Sequence, residues 1–170
     1  NDKNAIPQQL TGENFYIKSN FHGYGGKSYQ STEINNLIYL IWVDQVSKAL
    51  WLQIFKAQEI VSKNDNEYFL RDTKPVQLTE AIESNFDTSF VISENDFLYG
   101  LCEIKNRDYL FSINLKKTKQ KIRKIKKFDN FVSNLSSNTS GNLFSWIEWE
   151  SDCMPWEKNF LFFASIDHDG

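Results

Sequence analysis

The sequence predicts an all-β fold, specifically a partial β-propeller of about two and a half to three antiparallel four-stranded blades. Aromatic residues make up 15% of the 170 residues, and only 3 residues are proline, a composition that favours strands over helices. Three pairs of apolar segments recur along the chain, each pair spaced as a hairpin. Their apolar residues would face both sides of a sheet, as in blades that pack face to face.

The three pairs repeat one pattern. Their second members align without gaps at Leu50, Leu110 and Leu161, and an aromatic residue follows each leucine. Apolar residues within the segments recur at a spacing of two, which indicates strands. The pairs cover residues 36–44 with 49–55, 96–104 with 109–115, and 142–149 with 160–166.

The spacing of the pairs fits propeller blades. The first members begin near positions 36, 96 and 142, at intervals of 60 and 46 residues, and a four-stranded blade needs ~40–50 residues. The longer interval contains a polar insertion around residues 62–74, predicted to be a loop, and residues 75–79 and 116–127 suit outer fourth strands. An antiparallel β-sandwich would show the same alternation. We expect one domain over residues 1–170, with blades at 24–80, 86–135 and an incomplete one at 142–170.

The net charge does not favour binding to nucleic acid, but the basic residues are unevenly distributed. The net charge is −3, which gives no general attraction to nucleic acid or to an anionic membrane. Residues 116–127 hold 8 of the 19 basic residues and no acid. We interpret this segment as a lysine-rich outer strand that blocks edge pairing. Binding of RNA, lipid or an acidic partner is the alternative.

No metal or cofactor is predicted. Cys102 and Cys153 lie 51 positions apart, so they form neither a metal-ligand cluster nor a disulfide framework. We expect both to be free, reduced and buried, as in a cytoplasmic protein. The apolar run at 37–43 is far too short to span a membrane. The glycines at 23–26 lack the Lys-Ser/Thr ending of a phosphate-binding loop.

Residues 145–170 resemble a known family. They contain a Trp-x-x-Trp-acid strand, a linker ending in Met-Pro-Trp, and a strand that leads into an acidic-Gly turn. This order resembles the propeller of prolyl-oligopeptidase-like serine peptidases, in the acylaminoacyl-peptidase or dipeptidyl-aminopeptidase-like branch. The matching residues are Trp146, Trp149, Glu150, Met154, Pro155, Trp156, Asp169 and Gly170.

Two further segments extend the resemblance to about 150 residues. His22-Gly-Tyr-Gly-Gly, followed by Tyr29, is similar to the family's His-Glu-Tyr-Gly-Gly segment. Asp44-Gln45 ahead of the strand at Leu50 is similar to a third pattern. Gly23 stands where the family usually has Glu, which puts any polar role of that acid in doubt.

The resemblance implies a propeller that precedes an α/β-hydrolase domain with its serine in a Gly-x-Ser-x-Gly turn. No such motif occurs in this sequence, so we expect no catalytic residue here, and whether the chain alone is an enzyme stays open. The implied role is to gate access of peptide or acyl-amino substrates and to form part of the substrate-binding wall. The alternatives are a non-catalytic interaction module and a polysaccharide-binding sandwich that uses the tryptophans.

Candidate wall residues follow from the matched motifs and from paired acids and aromatics. The acids could bind a substrate's amino terminus, although cross-strand contacts are an alternative, and for the tryptophans core packing is the simpler interpretation. The candidates are Tyr24, Glu103, Glu148, Trp149 and Trp156.

The sequence contains two histidines. His22 and His168 lie 146 positions apart, so we interpret them as a loop donor and a turn residue rather than as acid–base groups.

An incomplete propeller exposes strand edges and sheet faces that are meant to be covered. Because the chain stops at an acidic-Gly turn, we expect more blades beyond it, and we expect the isolated chain to self-associate through open blade edges.

Overall fold

The fold is described by a computed structural model over residues 9–23, 25–56, 74–138 and 140–166. Within these ranges the chain forms strands and one short 3₁₀ turn (Phe21–Gly23), without an α-helix, so the predicted all-β class is confirmed. No helix of the described residues is long and apolar enough to cross a membrane. The strands are β1 (Tyr29–Ile34), β2 (Leu37–Asp44), β3 (Ala49–Lys56), β4 (Val76–Gln77), β5 (Asn85–Ile92), β6 (Phe97–Glu103), β7 (Asp108–Asn114), β8 (Arg123–Lys127), β9 (Phe131–Ser137), β10 (Leu143–Trp149) and β11 (Phe160–Ser165).

The strands form three antiparallel sheets that follow one another along the chain. Sheet 1 has the order β1-β2-β3-β4 and sheet 2 the order β5-β6-β7-β8. Sheet 3 contains three described strands, in the order β11-β10-β9. The predicted partial β-propeller is therefore confirmed. The predicted fourth strands at 75–79 and 116–127 are present as β4 and β8.

The sheet boundaries differ from the expected blades. Strand β9 lies inside the range 86–135 expected for the second blade, but it pairs with β10 in sheet 3. The recurring apolar pairs are therefore the second and third strands of each sheet. The first strands were missed because β1 and β9 carry many polar residues, and periodicity detects only strands with an apolar face. The insertion predicted at 62–74 lies outside the described residues except for Lys74.

Side chains link the first strands of neighbouring sheets. The side-chain N–H of Gln30 in β1 donates to the Phe90 carbonyl of β5 at 2.9 Å. The side-chain oxygen of Gln30 accepts the backbone N–H of Phe90 at 2.8 Å. The Asp87 carboxylate of β5 accepts the Ser133 hydroxyl of β9 at 3.0 Å and the Asn134 N–H at 3.3 Å. These polar first strands lie side by side, as the inner strands of propeller blades do.

Apolar side chains fill the two spaces between sheets. Between sheets 1 and 2, the rings of Phe86 and Phe111 meet edge to face at 5.4 Å. Between sheets 2 and 3, Tyr99 meets Phe144 in the same way at 5.0 Å. Burying each such side chain stabilises the fold by roughly 1.5–3 kcal/mol. The remaining core residues include Ile41, Val43, Leu50, Leu52, Phe90 and Leu98 in the first space, and Leu101, Leu110, Val132, Leu135 and Trp146 in the second.

The segment before β1 covers the other face of sheet 1. The Phe15 ring packs edge-on against Trp42 and Trp51, with centroids 5.2 and 4.8 Å away. The segment is fixed by Asp44, whose carboxylate accepts the backbone N–H groups of Tyr16 and Ser47 at 2.9 and 2.8 Å. Although burial raises the pKa of Asp44, these hydrogen bonds together hold it below its usual value.

The outer edges of sheets 1 and 2 are also joined. Backbone N–H groups of Lys119 and Gln120 donate to the carbonyls of Gln77 and Leu78, both at 3.0 Å. The basic segment continues as the outer strand β8, where the Lys124 ammonium lies 4.1 Å from the centre of the Tyr109 ring. The predicted lysine-rich outer strand is therefore confirmed.

Gly100 in β6 provides a test of the packing between sheets 1 and 2. A Cβ atom there would lie 2.8 Å from the Phe90 ring and 2.9 Å from the Phe111 ring. We expect Gly100→Ala to lower the free energy of unfolding by about 1–3 kcal/mol through overpacking, measured by urea denaturation. Gly12→Ala is the control, since nothing lies within 4 Å of that position. Equal midpoints for both variants would contradict the described packing.

The two cysteines are free in different surroundings, which gives a second test. Cys102 is buried, as expected, whereas Cys153 is only half-buried. Burial raises the pKa of the Cys102 thiol to about 12, so at pH 8 only about one thiol in 10⁴ is ionised and reactive. Burial and the neighbouring Asp152 also raise the pKa of Cys153.

We expect Ellman's reagent to modify one thiol slowly in the native chain and both thiols in guanidinium chloride. Cys153→Ser should abolish the native reaction while leaving the reaction of the denatured chain. Modification of Cys102 in the folded Cys153→Ser variant would show that the space between the sheets is open.

Candidate functional site

The 3₁₀ turn places a buried histidine at the end of the sheets where β5 and β9 begin. His22 has a positive φ of 51°, and its Nε2 lies 2.7 Å from Oδ2 of Asp108. Only 4% of the His22 side chain and 2% of the Asp108 side chain are exposed. The segment before β1 is therefore anchored to β7 of sheet 2 through side chains removed from water.

Strands of sheets 2 and 3 supply the other hydrogen bonds around His22 and Asp108. The Asp108 carboxylate also accepts the Val132 N–H of β9 at 3.0 Å, which connects sheets 2 and 3. The Glu103 carboxylate at the end of β6 accepts the His22 N–H at 3.2 Å and the Asn85 amide at 3.1 Å. The buried Asp108 carboxylate needs such donors because leaving it unpaired would be costly.

Aromatic rings surround the imidazole. The centroid of the His22 ring lies 3.9 Å from that of Phe21, 4.8 Å from that of Phe131 and 5.5 Å from that of Trp149. We call His22, Glu103, Asp108, Phe131 and Trp149 the His22 cluster. Its contacts fix the position of the segment before β1, in agreement with the interpretation of His22 as a loop donor.

The four predicted wall residues that the structure describes do not form one surface. Glu103 and Trp149 lie together in the His22 cluster, where Trp149 is only 4% exposed. Glu148 precedes Trp149 on β10, so its side chain points to the opposite face, and its carboxylate accepts the Trp146 indole N–H at 2.7 Å. Trp156 is 76% exposed in the turn after β10. Tyr24 lies outside the described residues.

The tryptophans mostly pack in the interior, as the simpler interpretation held. Trp42, Trp146 and Trp149 are buried, whereas Trp156 is exposed. The Met-Pro-Trp segment forms a turn held by two hydrogen bonds: the Met154 N–H donates to the Glu157 carboxylate at 2.8 Å, and the Glu157 N–H donates to the Met154 carbonyl at 2.9 Å.

A cleft of about 730 Å³ lies at the far ends of the first strands. All three sheets line it, through the ends of β1, β5 and β9, and we call it the first-strand cleft. Its described lining includes the acids Glu33, Glu94 and Asp96 and no basic residue. Asp96 is partly neutralised by the Lys116 ammonium, 2.5 Å from its Oδ2.

The lining of the first-strand cleft favours polar or positively charged groups. Sequence reasoning missed it because Glu33 lies about 60 positions before Glu94 and Asp96, and all three acids look like ordinary turn residues. Within the described ranges, no group of three or more His, Cys, Asp or Glu side chains could hold a metal ion.

Comparison with solved structures finds peptidases. The chain is similar to a puromycin-hydrolyzing peptidase of Mycobacterium tuberculosis, with a TM-score of 0.72 and 16% identity, over 95% of this chain and 25% of that chain. It is also similar to puromycin hydrolase, with a TM-score of 0.68 and 16% identity, over 94% of this chain and 25% of that chain. A mutant of that hydrolase in complex with PGG gives a TM-score of 0.70 with 15% identity, over 94% of this chain and 25% of that one.

The sequence comparisons find nothing comparable: no protein-family model matches the chain, and no curated protein matches it. The chain therefore has the fold of a part of these peptidases, and it spans about 25% of their length. At 15–16% identity the likeness shows the propeller fold, with no statement about the reaction.

The His22 cluster predicts a measurable contribution to stability. We expect His22→Gln to lower the free energy of unfolding by roughly 2–4 kcal/mol, because it breaks a buried hydrogen-bonded pair. Asp96→Asn, which removes an exposed ion pair, should leave the urea midpoint almost unchanged. A double-mutant cycle of His22→Gln with Asp108→Asn should give a clear coupling energy. Additive effects would mean that the two side chains act independently.

Proposed function

We propose that this chain is part of the propeller of a serine peptidase of the prolyl-oligopeptidase type. The observation that carries the proposal is the structural match to peptidases over 95% of the chain. The Trp-x-x-Trp and Met-Pro-Trp motifs of the sequence support it independently of the fold. A cytoplasmic location and the acylaminoacyl-peptidase-like branch belong to the same proposal.

The propeller would restrict which substrates reach a catalytic serine located elsewhere in the longer protein. The first-strand cleft suits this role because all three inner strands border it and its lining is acidic. Peptide groups and protonated amines would be admitted in preference to anions. Among the predicted wall residues, Trp156 is the most available for contact with substrate, since the carboxylate of Glu103 already accepts two hydrogen bonds.

A non-catalytic interaction module is the second candidate. It is favoured by the exposed apolar side chains of β11, which give sheet 3 a surface suited to a protein partner. The two candidates differ in what the full-length gene product contains. A peptidase requires a nucleophilic serine in a Gly-x-Ser-x-Gly turn, and an interaction module does not.

A serine-directed fluorophosphonate distinguishes the candidates. We expect it to label the full-length product of the gene that encodes this chain, and we expect no labelling of the 170-residue chain alone. Hydrolysis of aminoacyl and acyl-aminoacyl chromogenic substrates should follow the labelling. A full-length product that is neither labelled nor active would overturn the peptidase proposal and leave the interaction module.

The first-strand cleft is tested in the same full-length protein. If substrates pass along its acidic lining, the double variant Glu33→Gln and Glu94→Gln should raise KM several-fold for cationic substrates and change kcat little. Neutral substrates should be affected less. Glu80→Gln is the control, because this exposed acid is not part of the lining. Equal KM values for both variants would rule out the cleft as the route.

A further inference from the structure

The basic segment at residues 116–127 is a surface that the proposed function does not use. All eight of its basic side chains are exposed, and none of its residues lines the first-strand cleft. The segment contains no acid, and Lys116 at its start pairs with Asp96. A stripe of positive charge therefore faces solvent along the outer edge of sheet 2.

Strand β8, in the second half of this segment, is the outer strand of sheet 2. It pairs with β7 along one edge, and no described strand pairs with its other edge. Sheet 2 has four strands, and sheets 1 and 3 pack against its two faces. The free edge therefore belongs to a complete four-stranded sheet with a neighbour on each side. Its unpaired backbone groups can bind a further strand.

A bulge in β8 distributes its cations over both faces of sheet 2. The register shifts between Leu110 and Phe111, and β8 has one extra residue there, Ile125. Lys124 lies opposite Phe111, which packs in the core shared with sheet 1. Lys126 lies opposite Leu110, which packs in the core shared with sheet 3. The two lysines therefore lie on opposite faces, although they are two positions apart.

Each face of β8 carries two cations. Arg123 lies opposite Ser112 and Lys127 opposite Tyr109. Since side chains alternate along a strand, Arg123 shares the face of Lys126, and Lys127 shares the face of Lys124. A partner strand would meet all four cations only with consecutive acidic residues, which present carboxylates to both faces.

The aromatic rings beside β8 do not suit nucleic-acid bases. The Lys124 ammonium lies 4.1 Å from the centre of the Tyr109 ring, and the Lys126 ammonium lies 5.1 Å from that of Phe128. Phe128 is also buried. Single-stranded nucleic acids bind basic grooves in which exposed aromatic rings stack with the bases. Both of these rings are already covered, so the segment lacks that feature.

The isoleucines of the segment do not suit an anionic membrane. Ile122 packs against the core between sheets 1 and 2, and Ile125 packs against the core between sheets 2 and 3. Attachment to a membrane surface combines basic residues with apolar side chains that enter the lipid. Here the isoleucines are held in the protein, and the surface offers cations together with an open strand edge.

We propose that the outer edge of β8 binds an acidic segment of another protein, which pairs with β8 as a fifth strand of sheet 2. Backbone hydrogen bonds along the free edge supply the pairing, and the four cations select consecutive acidic residues. A second copy of β8 is disfavoured, because like charges directly opposite each other are destabilising. The proposal does not depend on the peptidase proposal, since β8 lies outside the first-strand cleft.

Fluorescence anisotropy with a labelled peptide tests the proposal in the full-length product of the gene, treated beforehand with the fluorophosphonate so that no peptide is cleaved. The probe is Thr-Glu-Glu-Thr-Glu-Glu-Thr, which places acids opposite the four cations. We expect its glutamine version to bind at least about tenfold more weakly, because four opposite-charge pairs are lost. A version with proline in place of threonine keeps the charge and removes backbone N–H donors, so we expect at least about fivefold weaker binding. Binding of either version equal to that of the probe would overturn the proposal.

A double variant locates the binding on β8. Lys126→Gln with Lys127→Gln removes one cation from each face, and we expect the dissociation constant of the glutamate peptide to rise about fivefold. Lys18→Gln with Lys158→Gln is the matched control: both lysines are exposed, and Lys158, like Lys126, lies over a phenylalanine ring. The control should bind as the unaltered protein does. An equal loss in both double variants would mean that only net charge matters, which contradicts the proposal.

Amide hydrogen exchange adds a measurement that requires no variant. The amides of β8 should become protected when the glutamate peptide is added, and bound peptide without that protection would refute strand pairing. Oligothymidylate of equal charge and vesicles of equimolar phosphatidylserine and phosphatidylcholine represent the other anionic partners. We expect both to bind more weakly than the peptide. Tighter binding of either at β8 would assign the segment to nucleic acid or to a membrane and overturn the proposal.

Discussion

The structure depends on one constraint: each sheet is apolar on both faces and therefore needs a neighbour on each side. Sheet 2 satisfies it fully, because sheet 1 covers Phe86 and Phe111 on one face and sheet 3 covers Leu110 on the other. The burial is dense enough that a glycine, Gly100, stands where two phenylalanine rings leave no room for a methyl group. The polar contacts of the fold lie around this stack of sheets.

At the two ends of the stack the same constraint has different outcomes. On sheet 1, the segment around Phe15 supplies the missing neighbour, and the buried Asp44 holds it there by accepting the backbone N–H of Tyr16. On sheet 3, Leu161 and Phe163 remain exposed. Among the described residues, the outer face of sheet 1 is therefore covered by its own chain, whereas the outer face of sheet 3 keeps exposed apolar side chains.

Polar groups gather where the first strands begin and end. At one end, the buried His22–Asp108 pair connects the segment before β1 with sheets 2 and 3. At the other, the first-strand cleft opens between carboxylates. Apolar packing between the sheets and polar chemistry along the inner strands are thus separated in space. Because of this separation, polar residues of the inner strands can differ without altering the apolar packing between the sheets. A propeller can thus change which molecules pass its centre and keep its core, which fits the proposed role in a peptidase.

How much of the fold and of the site could be predicted depends on how far apart in the sequence the interacting residues lie. The second and third strands, the outer strands β4 and β8 and the buried tryptophans were predictable, because alternation of apolar residues is local and each segment shows it alone. The inner strands β1 and β9 were not, since their polar residues find partners only in neighbouring sheets. The pairing of His22 with Asp108 joins residues 86 positions apart, and no local pattern indicates it. The sequence by itself determined that apolar sheets must stack. The tertiary structure alone decided which polar residues meet and which face stays open, because those depend on side chains distant in the chain.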